Sequence, residues 1–179
     1  RADLFGLYYV ADPKLVELGL TPNLEAYKAE YYTYMMNGLM TQLVRIQPGN
    51  NIEEAHMRNR SLIAHWAYEH GKQDNVVEFV KRNGKTYVKI NDYAKLRELF
   101  GKLLAEIQRV KSEGDFEGAR QLVEDYGVKV NPELHKEILA RYEKLNISPY
   151  KGFINPEFKA ITDKKGNVTD VKVVYGESY

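Results

Sequence analysis

Glu54-Ala55-His56-Met57-Arg58-Asn59-Arg60 lies early in a helical pattern and sets an imidazole and a guanidinium four residues apart on one helix face. An imidazole so placed can donate a hydrogen bond to a developing oxyanion, and a guanidinium offers a planar fork to a peptide carbonyl or a carboxylate. The plainer alternative is a capped surface helix whose histidine and arginine meet Glu53, Glu54 or solvent. In either case the pair can only assist a reaction. Ser61 and Ser112 lack a nucleophile elbow, no glycine-rich phosphate loop follows a strand, and the chain has no cysteine. The histidines His56, His65, His70 and His135 do not form a metal set either. His65 and His70 stand about 140° apart around a helix, while His56 and His70 share a face but lie ~21 Å apart along it. A metal site made from this chain alone is therefore not expected.

The elements that must position His56 and Arg60 come from 179 residues, enough for one good core with an appendage but hardly for two full domains. Basic and acidic residues nearly cancel, 26 against 25, so no overall field recommends a nucleic acid or an anionic membrane as partner. The absence of cysteine removes disulfide frameworks and thiolate metal sites, and leans toward a reducing, cytoplasmic setting. No stretch approaches the ~20 apolar residues that cross a bilayer.

Local punctuation predicts a mainly α fold, a bundle-like helical lobe with two small β-hairpins. Helical rhythm runs from Arg1 through Val10 with no capping residue before it, from which we expect that a longer protein has been cut at this point. Asp12-Pro13 caps a short helix that Gly19 closes, and Thr21-Pro22 opens a longer one through Tyr27, Tyr31, Tyr34 and Met35. Asn51 with Glu54 resembles a capping box for the helix that carries His56 and ends near Gly71. From Val76 to Ile90 the period changes to two around Arg82-Asn83-Gly84-Lys85, a strong hairpin signal. Helices follow over about 92–113, 115–126 and 132–145. A second hairpin spans about 158–174 and turns at Lys165-Gly166-Asn167. The expected division is 1–148 for the helical lobe, with its hairpin at about 75–91, and 149–179 for an extended, hairpin-bearing tail. Fourteen tyrosines at helical spacing read as core and rim, and the pair Arg58 and Arg60 reads as a solvated face.

Several short motifs, in order and at matching spacing over nearly the whole chain, give it a resemblance to a known family. They are Arg1-Ala2-Asp3 followed by Gly6-Leu7-Tyr8; Ala55-His56-Met57 with Arg60; and Lys111-Ser112 and Gly114-Asp115 with Arg120, Leu122 and Tyr126. A looser match joins Lys151 and Asn155, where the family's usual arginine before the lysine is Tyr150 here. The chain resembles the C-terminal third of the dipeptidyl peptidase III family, zinc-dependent aminopeptidases that release dipeptides from peptide N-termini.

That resemblance implies a divided active site. The family's zinc histidines and catalytic glutamate lie on a His-Glu-x-x-x-His helix, with a third ligand from a Glu-Glu-x-Arg-Ala motif, all ahead of Arg1 in the parent chain. It implies that His56 stabilises the transition state, that Arg60 and Lys151 contact substrate, and that Asp3 orients a zinc-bound histidine from outside the metal's own ligands. The 179-residue chain would belong to the α-rich part of a two-lobed metallopeptidase and would be inactive alone. Zinc would enter only with the full-length enzyme, and the partners would be peptide substrates and the remaining N-terminal part of the parent. A competing expectation is a non-catalytic helical scaffold or interaction domain that binds a partner through the Tyr27 to Met40 face.

Overall fold

Side chains that cap helices, and glycines that end them, set most of the boundaries of this fold. The computed structural model describes residues 1–147 and 156–175, and the chain divides into two compact units, residues 1–146 and residues 147–179. The boundary expected at 148/149 lies outside the described residues.

In the first unit α1 (Ala2–Val10) is followed by α2 (Pro13–Glu17), whose first turn is capped by Asp12 accepting from the Lys14 N–H at 2.9 Å. The next helix, α3, covers Tyr27–Leu39, so Thr21-Pro22 does not open it. Residues 20–26 form bends and turns instead, where Asn23 accepts from the Glu25 N–H at 2.9 Å and competes with helix formation. A short 3₁₀ turn, Thr41–Arg45, leads toward α4 (Ala55–His70). The cap of α4 is Glu54 rather than Asn51: its two carboxylate oxygens accept from the N–H groups of His56 and Met57 at 2.9 and 2.8 Å. Ile52 explains why. Its N–H donates to Val128 O at 3.0 Å and its carbonyl accepts from Arg58 Nε at 2.7 Å, which holds the preceding residues outside the helix.

Strands β1 (Val77–Arg82) and β2 (Lys85–Ile90) pair antiparallel from Val77 opposite Ile90 to Arg82 opposite Lys85. Asn83 and Gly84 connect them with φ of 49° and 70°, the left-handed pair that a two-residue hairpin turn demands. Asp92 then caps α5 (Tyr93–Glu113), which ends where Gly114 adopts φ 66°. Asp115 caps α6 (Phe116–Leu122), a wide π-type turn over Val123–Gly127 follows, and Asn131 caps α7 (Pro132–Glu143). With 56% of the described residues helical, in seven α-helices and two short 3₁₀ and π turns, and with two small hairpins beside them, the fold is mainly α as expected.

The core of this unit gathers the apolar stripe of α5, Leu96, Leu99, Phe100 and Leu103, against Leu4 and Leu7 of α1, Tyr31, Met35 and Leu39 of α3, and Ile63 and Ala67 of α4. Tyr31, Met35, Leu39 and Met40 are all but fully buried. The stripe of α3 considered as a partner-binding face is therefore spent on the chain's own core. Buried polar groups are satisfied: His135 Nε2 reaches the carbonyls of Leu43 and Ile46 at 3.0 Å each, and Thr86 gives its N–H and hydroxyl to Glu137 at 2.7 and 2.6 Å. The second unit holds β3 (Glu157–Thr162) and β4 (Val168–Val174), paired antiparallel. Asp163 organises their turn by accepting from the N–H groups of Lys165 and Asn167 at 2.7 and 2.9 Å.

Ser61 and His65 make the interior of α4 sensitive to pH. Nδ1 of His65 lies 3.0 Å from Ser61 O, and burial holds its imidazole below the usual histidine range against the opposing pull of that bond and of Glu69. The folded chain thus binds fewer protons at this site than the unfolded chain. The stability it contributes is complete above the unfolded value near ~6.5 and is lost as pH falls through the lowered folded value. We expect the denaturant midpoint to fall from pH 8 to pH 5, and His65→Gln to flatten part of that slope. An unchanged slope in the variant would remove His65 as a cause.

Candidate functional site

Docking of α1 decides where Asp3 goes. Tyr8 packs closely on Gly101 of α5, where an added Cβ would stand 2.8 Å from the ring's Cε2. Arg97 covers the same ring, its guanidinium carbon 4.8 Å from the centroid, and donates to Tyr8 O at 2.9 Å. Tyr31 of α3 donates its hydroxyl to Leu7 O at 2.8 Å. With α1 so held, Oδ2 of Asp3 accepts two hydrogen bonds, from the Tyr34 hydroxyl at 3.0 Å and from Asn59 Nδ2 at 2.7 Å. Three helices meet on one carboxylate.

Arg60 follows Asn59 on α4, half-buried, with one guanidinium nitrogen 3.5 Å from Gln42 Oε1. Gln42 is itself buried, and its amide donates to Gly38 O and Met57 O at 3.2 Å each, tying the end of α3 to the start of α4. The two helices touch most closely at Gly38. A Cβ there would lie 2.5 Å from the Cβ of Ala64 and 2.6 Å from Arg60 O, so only glycine lets α3 rest on the Arg60 backbone. His56 stands one turn before Arg60 in the first turn of α4, exposed, and among the described residues no hydrogen bond holds its imidazole.

The charges of this face feel one another. Burial, and then the Asp3 carboxylate, raise the Tyr34 hydroxyl far above the ordinary phenol range, while Arg60 pulls the other way. Tyr34 therefore stays protonated and donates to Asp3 at every physiological pH. Glu54 is lowered, first by the His56 N–H and then by that of Met57, with smaller help from the charges of His56 and Arg60. Its carboxylate stays ionised as the cap.

Of the residues singled out in the sequence, the structure gathers Asp3 and Arg60 around the Asn59 turn, and places His56 one turn earlier on the same helix. Lys151 lies outside the described residues. Arg58 is not a solvated residue: it is half-buried and bonded to Ile52 O. Lys111 to Tyr126 forms the corner between α5 and α6, closed by Asp115 accepting from Gly118 N at 2.8 Å and by Arg109 bridging Glu106, Glu113 and Asp115. Tyr126 O accepts from buried Ser61 at 2.9 Å, which joins that corner to α4. Sequence reasoning left Tyr34, Asn59 and Gln42 without roles. The usable signals were helical spacing alone, Tyr34 three residues after Tyr31 and Asn59 three after His56.

Chemically the face offers donors and a held carboxylate but no nucleophile. Among the described residues no three histidine, cysteine, aspartate or glutamate side chains come together as a metal set. A groove of about 1420 Å³ between α1 and α5, lined by Phe5, Tyr8, Tyr9 and Leu104 among others, contains none of these polar residues.

Because Gly38 sets the α3 to α4 spacing, Gly38→Ala should push α3 off Arg60 and lower stability by roughly 1–3 kcal/mol, the range for overpacking a close contact. Denaturant unfolding measures it, and a change below about 0.5 kcal/mol would show that the crossing relaxes freely. A family model described as Peptidase family M49 matches residues 1–168. No curated protein matches the chain.

Proposed function

The chain belongs to peptidase family M49, the family of dipeptidyl peptidase III, and we propose that it supplies the substrate-facing helpers of a dipeptide-releasing active site whose zinc is held by the remaining N-terminal part of the enzyme. The observation that carries this reading is the set of helix-borne polar groups on one face: His56 exposed in the first turn of α4, Arg60 one turn later, and Asp3 held between Tyr34 and Asn59. The described residues do not fit a zinc donor set by themselves. They fit the layer around one, since Asp3 keeps Oδ1 as an acceptor.

When bound, zinc supplies Lewis-acid polarisation of a peptide carbonyl and of water. On this reading, each site residue of this chain takes the role that the family resemblance implies and its chemistry allows. His56 donates a hydrogen bond to the scissile oxygen as it gains negative charge, and its exposure leaves the imidazole free to meet that oxygen. Arg60, kept in place by Gln42 and the Gly38 crossing, presents its remaining guanidinium N–H groups to a substrate carbonyl or carboxylate. Asp3 accepts an imidazole N–H and thereby fixes that ring's orientation. A contact of Lys151 with substrate rests on the family resemblance alone. The 179-residue chain alone is inactive on this reading, and its partners are peptides and the rest of the enzyme. No described helix is long and apolar enough to cross a membrane, and a cytoplasmic site of action accords with the lack of cysteine.

In the full-length enzyme, His56→Ala should lower kcat by roughly ten- to a thousandfold with zinc content retained, the range for losing an oxyanion donor. An unchanged kcat would exclude the role. Arg60→Ala should act mainly on KM for dipeptide release; if KM stays put in steady-state assays, Arg60 is a packing residue of the α3 to α4 crossing and nothing more.

A further inference from the structure

The carboxylate of Asp3 has an uneven set of partners. Oδ2 accepts from Tyr34 at 3.0 Å and from Asn59 at 2.7 Å, while Oδ1 accepts no hydrogen bond among the described residues. An aspartate's terminal torsion is otherwise broad. Two donors on one oxygen, arriving from separate helices, narrow that torsion and leave both lone pairs of the other oxygen open. The donors stand 31 and 56 residues away in sequence, so this arrangement is not a by-product of local helix geometry.

Anchoring α1 does not account for it. Leu4 and Leu7 are buried in the core, Tyr8 fills the space over Gly101, and Arg97 and Tyr31 bind the carbonyls of Tyr8 and Leu7. Those contacts seat the helix without Asp3. The hydroxyl of Tyr34 and the amide of Asn59 are also well placed to control the carboxylate, because Tyr34 is half-buried on α3 one turn from clamped Tyr31, and Asn59 directly precedes Arg60 on α4.

We propose that Tyr34 and Asn59 are positioning residues of the active site that act through Asp3, holding its carboxylate so that Oδ1 is kept for the N–H of a metal-bound imidazole. This rests on the role given to Asp3 above. The grip on Oδ2 spans α1, α3 and α4, so the same two residues couple the orientation of Asp3 to the α4 turn that carries Arg60.

The test uses the zinc-loaded full-length enzyme, with zinc affinity read by chelator competition and kcat and KM read separately. Tyr34→Phe and Asn59→Ala should each weaken zinc binding about tenfold, within the roughly 10–100-fold range seen when such outer partners are removed. They should lower kcat more than KM, and Tyr32→Phe should leave zinc affinity unchanged. Combined with Asp3→Ala, neither should weaken binding further, since all three act through one carboxylate. If Asp3→Ala weakens zinc binding and Tyr34→Phe and Asn59→Ala do not, the inference fails while the role of Asp3 stands. If Asp3→Ala has no effect either, both fall. Losses that add to that of Asp3→Ala would also overturn the proposal, because the residues would then act by another route. Tyr34→Phe removes a single hydroxyl, so the test survives even if Asn59→Ala does not fold.

Discussion

The contact of α3 with α4 at Gly38 is the constraint on which the polar face depends. Helices usually keep 8–10 Å between axes because side chains intervene. Here a hydrogen atom stands where a Cβ would collide with Ala64 and with the carbonyl of Arg60. The close approach lets the Gln42 amide, bonded to Gly38 O four residues back, reach across to Met57 O, and Gln42 in turn addresses Arg60. It also brings Tyr34 on α3 and Asn59 on α4 to the same oxygen of Asp3. One missing methyl group thus sets the separation of four polar side chains.

A second close approach works the same way on the other side of the lobe. Gly101 admits the ring of Tyr8, Arg97 closes over that ring, and α1 is carried to the place where Asp3 can bridge α3 and α4. Both glycines lie inside helices, where glycine lowers helix stability relative to alanine by about 0.5–1 kcal/mol. Packing of Ile63, Ala64 and Ala67 against α3, and of Leu96, Phe100 and Leu103 against α1, offsets that loss through buried apolar area. The local propensity of the chain gives way to its tertiary contacts at the positions that shape the polar face.

This division explains what could be read from the sequence. Asp12, Asp92 and Asn131 cap helices by bonds that span two or three residues, and Asn83-Gly84 turns a hairpin within four, so those boundaries were legible. The start of α4 was legible only to within a few residues, because the choice between Asn51 and Glu54 is made by Ile52 bonding to Val128, 76 residues away in the chain and invisible to local pattern. Thr21-Pro22 misled for the related reason that Asn23 satisfies the backbone in a turn first. His56 and Arg60 could be placed on one face from spacing alone. Tyr34 looked like one more ring of an amphipathic stripe, and nothing in its neighbours along the chain announces that its hydroxyl meets Asp3.

The face also divides its side chains by what each has to do. A group that only orients another gains from being fixed, and Asp3, Tyr34, Asn59 and Gln42 are each bound at helix crossings where a rotamer change would break a hydrogen bond. A group that stabilises charge as a carbonyl becomes an oxyanion must reach that oxygen without a costly rearrangement, so it too gains once its place is fixed. His56 is not yet so fixed: in the first turn of α4 its backbone N–H donates to Glu54, and among the described residues no hydrogen bond holds its imidazole. Freedom in water is weak catalysis, because a hydrogen bond to an oxyanion strengthens as the dielectric around it falls. On the proposed reading, full effect at His56 therefore requires that substrate or another part of the enzyme cover this turn of α4, which makes closure over the rigid Asp3 to Arg60 platform a condition of the chemistry rather than an accompaniment to it.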